Sequence, residues 1–277
     1  MESSYDSLPV WIDTDNALGS KSGDIDDGFA IAAALKLCKN IIGFSSTFGN
    51  TSSIESKTNT EEIIKLMNFN SEVFLGAADK NDLVTDASKK LASLDEPFIF
   101  VALGPLTNLH AALKLNKKLK DKIQMVLWIG TNIQNLPSWR IFDFNLYNDK
   151  NSLKFLLEAG IEITAIPCSV ARNIRSKKGD LENLPLSIRG HFMINAARWF
   201  KRAFLLKASK TIPVWDLSAI FFLTHRTYFN IKTRYISSRD FRRSDTKDSN
   251  HPYKLHQAIT FDDQKIQDLA SHTLFSN

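Results

Sequence analysis

Short apolar runs alternate with longer stretches of helical spacing through the first half of the chain. Residues 10–15 form an apolar run that closes on carboxylates, and 41–47 and 97–103 are β-branched and aromatic. Residues 73–75, 124–130 and 161–166 complete the predicted strands. Between them, 27–38, 55–67, 105–115 and 152–159 carry apolar residues at helical spacing. The third of these places Pro105 in a first helical turn, where its missing N–H is no loss. Strand and helix taking turns implies βαβ units, and so an α/β fold with a mostly parallel central sheet flanked by helices. The second half reads as more helical, with helices predicted over 186–207, 214–223 and 262–274. No repeat, low-complexity tract or Pro/Gly/Ser-rich linker divides the chain, so residues 1–277 are expected to form a single domain.

Open parallel sheets bind ligands beyond the carboxyl ends of their strands. Here those ends are polar or glycine-containing: Asp13-Thr14-Asp15, Gly49-Asn50, Leu103-Gly104 and Gly130-Thr131-Asn132. The first carries most of the information, because Asp13 and Asp15 are followed by Asp24, Asp26 and Asp27 at a predicted helix start, across a Gly/Ser-rich link. Carboxylates this crowded repel one another unless a cation sits among them, and oxygen donors suit Ca²⁺ or Mg²⁺. Helix capping and the helix dipole account for Asp24, Asp26 and Asp27 taken alone. They do not account for Asp13 and Asp15, which follow a buried strand. The spacing excludes an EF-hand, which needs a D-x-[DN]-x-[DN]-G loop and a closing Glu.

Composition narrows the picture. With 43% hydrophobic residues in 277, a sizeable core can be buried. A net charge of +5 is mild, and its densest stretch, 232–247, mixes Arg239, Arg242 and Arg243 with Asp240 and Asp245. That stretch reads as a solvated loop rather than a phosphate-binding patch, so no nucleic-acid partner is expected. The N-terminal residues lack a basic and apolar leader pattern, and no apolar run is long enough to span a membrane. Two cysteines, Cys38 and Cys168, without a CxxC pair, fit a reducing cytoplasm.

These motifs resemble, in order, those of the inosine–uridine nucleoside hydrolases. Asp13-Thr14-Asp15 followed by Asp26-Asp27 is similar to that family's N-terminal fingerprint. Thr47-Phe48-Gly49-Asn50 is similar to its Gly-Asn after strand two, and Leu103-Gly104-Pro105-Leu106-Thr107-Asn108 to its T-G-P-L-T-N turn. Ile129-Gly130-Thr131 weakly echoes its M-G-G, Asp143-Phe144-Asn145 its E-F-N, and Trp215-Asp216 its late Asp, which follows His in some members and Trp in others. The resemblance implies a Ca²⁺-dependent N-ribohydrolase acting on small-molecule ribonucleosides, and a homo-oligomer. It implies Ca²⁺ ligation by Asp15, Asp27, the Leu103 carbonyl and Asp216. Asp26, Asn50, Asp143 and Asn145 would bind ribose, with Asp13 supporting the cluster from behind. Asp15 would also be the general base, taking a proton from a cation-held water as an oxocarbenium-like transition state forms. Trp215 would stack on the base and favour purines.

The chain departs from that pattern in places. Ten residues, 16–25, separate Asp15 from Asp26 where the family has a shorter link, and they are expected to act as a lid or to narrow the substrate range. Asp143 replaces the family's Glu. The Gly-Asn expected before it is missing, with Asn135 or Pro137 in its place, and the family's L-D-x-T segment reads Cys168-Ser169-Val170-Ala171. None of His110, His191, His225, His251, His256 and His272 stands out as a leaving-group acid; His191 is the strongest of them. Two alternatives remain open. One is a nucleoside- or ribose-binding relative with little turnover. The other is a HAD-type phosphohydrolase using Asp13 and Asp15, although Ala17 stands where that motif continues with Thr or Val.

Overall fold

The computed structural model describes residues 8–21, 23–131, 143–171, 174–205, 211–236 and 253–275. Each apolar run of the first half is a strand: β1 (Val10–Thr14), β2 (Ile41–Ser46), β3 (Val73–Phe74), β4 (Phe98–Ala102), β5 (Ile123–Ile129) and β6 (Ile163–Ile166). The helices between them are α1 (Asp26–Leu37), α2 (Ser53–Leu66), α3 (Asp86–Ala92), α4 (Thr107–Leu115), α5 (Phe144–Asn148) and α6 (Lys150–Glu158). Beyond β6 come α7 (Cys168–Ala171), β7 (Arg175–Lys177), α8 (Leu186–Leu205), β8 (Thr211–Pro213), α9 (Leu217–Thr224), β9 (Phe229–Ile236), β10 (Tyr253–Phe261) and α10 (Asp263–Phe275).

The main sheet has eight strands in the order β3-β2-β1-β4-β5-β6-β10-β9. All its pairings are parallel except β10 with β9. From the β1–β4 pair chain order runs outward to β3 on one side and through β6 to β10 on the other, with β9 folded back outside β10. That pair is therefore the topological switch point, where the connections leave a crevice.

Period-two alternation divides the core between the two sheet faces. Ile12, Ile99, Val101, Leu127 and Ile129 pack on one face with α1 and α9, whose Phe29, Ile31, Ile220 and Phe221 are fully buried. Trp11, Phe98, Phe100, Val126 and Trp128 pack on the other with Leu109, Leu113, Leu153 and Leu156 of α4 and α6. Strands covered on both sides read as nearly unbroken apolar runs.

Three expectations are corrected. Pro105 lies before α4, whose N-cap is Leu106, rather than in its first turn. The second half is not only helical, since β9 and β10 extend the main sheet. Residues 232–236, taken as solvated loop, belong to β9, and 237–247 lie outside the described residues. β9 is an edge strand with Lys232 and Tyr235 exposed and Arg234 half-buried. Charges on an edge discourage pairing with other chains, and they hide the apolar alternation by which a strand is read.

Candidate active site

The carboxyl end of β1 delivers Asp13 and then Asp15, both fully buried. The N-terminus of α1 presents Asp26 and Asp27, and the turn into α9 adds Asp216. Asp26, Asp27 and Asp216 each offer a carboxylate oxygen, all within 4.8 Å of one another. Asp15 lies beside this trio and raises the pKa of Asp216. Burial first, and then their mutual repulsion, pushes Asp15, Asp26 and Asp216 well above the usual carboxylate range. Asp27 rises to about 6, burial being partly offset by hydrogen bonds from Thr14 and Asp216. The α1 N-terminus partly compensates the excess negative charge through its dipole.

Asp15 and Asp27 are each held by one oxygen and left open at the other. The Asn50 N–H donates to Asp15 Oδ2 at 2.6 Å, and Thr14 Oγ1 donates to Asp27 Oδ1. Asp15 Oδ1, Asp26 Oδ1 and Asp27 Oδ2 are buried without a hydrogen-bond partner. A Cβ on Gly49 would stand 1.9 Å from Asp15 Oδ2, so only glycine lets the loop after β2 approach this closely. Buried polar atoms seldom go unpaired. The clustered oxygens of Asp26, Asp27 and Asp216, with open oxygens on Asp15, Asp26 and Asp27 and with Leu103 lining the same cavity, fit a hard divalent cation bound through oxygen.

Asp13 has a different task. It accepts from Ser45 Oγ and from Asn108 Nδ2, the latter at 2.7 Å, and burial pushes its pKa up to about 7. Asn108 also donates to the Ser46 carbonyl at 2.9 Å and accepts from the Ala77 N–H. Asp13 thus ties together β1, β2 and α4 behind the cluster. The motif containing Asn108 was legible in sequence, but this supporting role was not.

A cavity of about 320 Å³ opens over the cluster. Asp24, Asp26, Asn50, Leu103, Asp143, Asn145, Trp215 and Asp216 line it, with Ile129, Phe144 and Cys168. Asn145 Nδ2 donates to the Leu103 carbonyl at 2.6 Å and to the Ile129 carbonyl at 3.0 Å, fixing the ends of β4 and β5. Asp143 caps α5, accepting from the Leu146 N–H at 2.9 Å, while its Oδ2 is buried without a partner. Burial pushes the Asp143 pKa up to about 6. Trp215 packs on the core edge and also lines the cavity, its Nε1 buried without a partner.

All the expected site residues therefore meet at this sheet edge. Asp24, one of the crowded carboxylates of the sequence, also lines the cavity, and Cys168 joins them without having been expected there. Asp24 does not cap α1, whose N-cap is Ile25; it faces the cavity and accepts from Trp199 Nε1 of α8 at 3.3 Å. Asn135 and Pro137 lie outside the described residues.

The loop between Asp15 and Asp26 is pinned. Asn59 Nδ2 donates to the Asn16 carbonyl and to Ser20 Oγ, and Leu18 is fully buried against α1. His191 lies against the back of this loop, 3.4 Å from the Leu18 carbonyl and 3.3 Å from Glu62, and does not line the cavity. The loop is tied to α2 at Asn16 and Ser20 and reaches the cavity at Asp24.

Fold and site together define an α/β enzyme with an acidic, oxygen-lined centre at its switch point. The chain belongs to the inosine-uridine preferring nucleoside hydrolase family, whose profile matches residues 10–266. Family membership makes it a nucleoside hydrolase, an enzyme class that hydrolyses the N-glycosidic bond of ribonucleosides, and sets aside the HAD-type reading. An uncharacterised protein of Schizosaccharomyces pombe is 27% identical over 190 residues, covering 56% of this chain and 55% of that relative. The non-specific ribonucleoside hydrolase RihC of Escherichia coli is 25% identical over 264 residues, 83% of each chain. A solved plant nucleoside hydrolase superposes with a TM-score of 0.77 at 16% identity, covering 98% of this chain and 99% of its own. A purine-preferring ribonucleoside hydrolase from Gardnerella vaginalis does so with a TM-score of 0.74 at 16% identity, covering 96% and 97%. At such identities the structural likeness concerns the fold. No described helix is long and apolar enough to cross a membrane.

Proposed function

We propose that the cavity binds a ribonucleoside and that Asp15 acts as general base for hydrolysis of its N-glycosidic bond. One observation carries this reading: Asp15 Oδ2 is fixed by the Asn50 N–H at 2.6 Å while Oδ1 is buried and unpartnered beside the acidic trio. A carboxylate held at one oxygen and open at the other is oriented to accept a proton from a water at the sugar's anomeric carbon. Asp15, Asp27, the Leu103 carbonyl and Asp216 are the proposed ligands of Ca²⁺, with Asp26 bridging to the sugar. When bound, the cation supplies positive charge that orients ribose hydroxyls and acidifies the attacking water.

Asp26, Asn50, Asp143 and Asn145 are proposed to hold the ribose hydroxyls. The carboxylates around the sugar also stabilise the positive charge that develops on the ring. Trp215 is proposed to stack on the base; its broad face favours purines. With two free cysteines, the proposed setting is the cytoplasm, as a homo-oligomer.

The test is a panel of ribonucleosides incubated with Ca²⁺-loaded protein, following free base and ribose. Release of both in equal amounts is expected. Binding of a nucleoside without turnover would replace this reading with that of a binding relative, which the shortened Asp143 favours.

A further inference from the structure

After β5 the chain passes through Gly130 into Thr131, whose φ of 63° lies in the left-handed region. A β-branched side chain is poorly suited to that region, because its Cβ substituents crowd the backbone. The other described non-glycine residue with positive φ is an asparagine, Asn68, a residue type that tolerates it. Thr131 is held from both sides. Its hydroxyl accepts from Gln257 Nε2 at 2.9 Å, and Gln257 is a fully buried side chain on β10. Its backbone N–H lies close enough to the Asp143 carboxylate to oppose the rise in that group's pKa. Gln257 stands opposite Ala165 of β6, so its amide reaches past β6 to the end of β5. Neither Gln257 nor Thr131 lines the cavity.

We propose that Gln257 and Thr131 form a positioning pair for Asp143: the amide clamps the hydroxyl, the hydroxyl fixes the left-handed turn, and the turn aims the Thr131 N–H at the carboxylate. The proposal rests on Asp143 being a sugar ligand. Asp143 is one methylene shorter than the Glu of the motif it resembles, so its carboxylate sits closer to the backbone and depends more on where that backbone is held. One oxygen is committed to capping α5 through Leu146. The other, Oδ2, is the atom left for a ribose hydroxyl. The Thr131 N–H keeps these two roles from exchanging by rotation of the carboxylate.

Steady-state kinetics on inosine with the Ca²⁺-loaded enzyme test the pair. Thr131→Val keeps the branch and removes the hydroxyl, and Gln257→Leu removes the amide. Each is expected to raise KM about tenfold, the effect of one lost hydrogen bond at a buried site, with kcat within about threefold. The double variant should be no worse than the more affected single, since both delete the shared bond. Thr131→Gly takes up the turn without a clamp, so in that background Gln257→Leu should change KM by less than about twofold. Thr131→Ser retains the hydroxyl and should remain close to the unsubstituted enzyme. An equal Gln257→Leu penalty in the wild-type and Thr131→Gly backgrounds overturns the proposal, because the amide then acts on the fold at large. Where circular dichroism shows Gln257→Leu unfolded, the Val and Ser substitutions of Thr131 read the same bond from its other end. A raised KM for Val alone supports the pair, and equal effects overturn it. Failure of the underlying reading looks different: Asp143→Ala then leaves KM unchanged, and the pair falls with it.

Discussion

Asp15 and Trp215 carry the proposed chemistry, and each makes a separable prediction. Asp15→Asn keeps the shape and the Asn50 contact but removes the base. In enzyme saturated with Ca²⁺ it is expected to lower kcat by about 10²–10⁴-fold, the usual contribution of general-base catalysis, with KM changed far less; Ca²⁺ binding is expected to weaken, because a ligand loses its charge. Near-normal turnover in cation-loaded Asp15→Asn would move the base elsewhere. Trp215 presents its indole to the cavity with the N–H buried and unpartnered. Stacking on a base is worth about 1–3 kcal/mol, and a purine gains more of it than a pyrimidine. The ratio of kcat/KM for inosine to that for uridine is expected to exceed one and to fall in Trp215→Ala. An unchanged ratio would assign Trp215 to packing. Asp26 and Asn145 add a third contrast: a 2′-deoxynucleoside lacks a hydroxyl that the open Asp26 Oδ1 and the Asn145 amide oxygen are proposed to hold, and it should be a much poorer substrate.

Among the elements, the segment from Asn16 to Ser20, a wall tied to α2, makes the clearest prediction. Asn59 on α2 donates to the Asn16 carbonyl at 3.0 Å and to Ser20 Oγ at 3.1 Å. Asn59→Ala leaves a buried carbonyl unpaired, at a cost of about 1–3 kcal/mol, and loosens the segment that carries Asp24 to the cavity. A lowered thermal midpoint together with a raised KM is expected; a lowered midpoint with unchanged KM would make the wall purely structural. How much was legible in the sequence follows the same physics. β1, β4 and β5 announce themselves because both faces are covered and nearly every residue is apolar. The cluster was legible because aspartates at a strand end have no reason to be there without a partner. The β9–β10 hairpin was not, since one strand is a charged edge and its pairing is set by distant residues. Cys168, Gln257 and the Trp199 contact that Asp24 makes were equally hidden. What brings them to the site or its support is the packing of α7, α8 and β10, which no local spacing encodes.

At the scale of the whole molecule, the fold carries an electrostatic liability that its ligand should relieve. Asp13 is pushed up to about 7, and Asp27 and Asp143 to about 6, from an ordinary value of 3.8, chiefly by burial. A folded-state pKa above the unfolded one means that the native state favours the protonated carboxyl. The stability this contributes is fully present below pH 3.8 and is lost as pH rises through about 6 to 7. Cation-free protein should therefore become less stable between pH 5 and pH 7.5, the range over which these carboxylates ionise, rather than gain stability as proteins with salt-bridged carboxylates do. A bound cation reverses the balance. It needs the ionised form, and it stabilises the native state by about 2.7 kcal/mol when present at a hundred times its Kd. Thermal melts with chelator and with Ca²⁺ should accordingly diverge as pH rises, with a small difference near pH 5 and a large one at pH 7.5. Asp216→Asn removes one charge from the trio, so it should raise the melting point of the chelated protein while abolishing the Ca²⁺ shift. Melts that ignore Ca²⁺ at pH 7.5 would mean that the trio tolerates its own repulsion and that oxygen ligation is not what these carboxylates are built for.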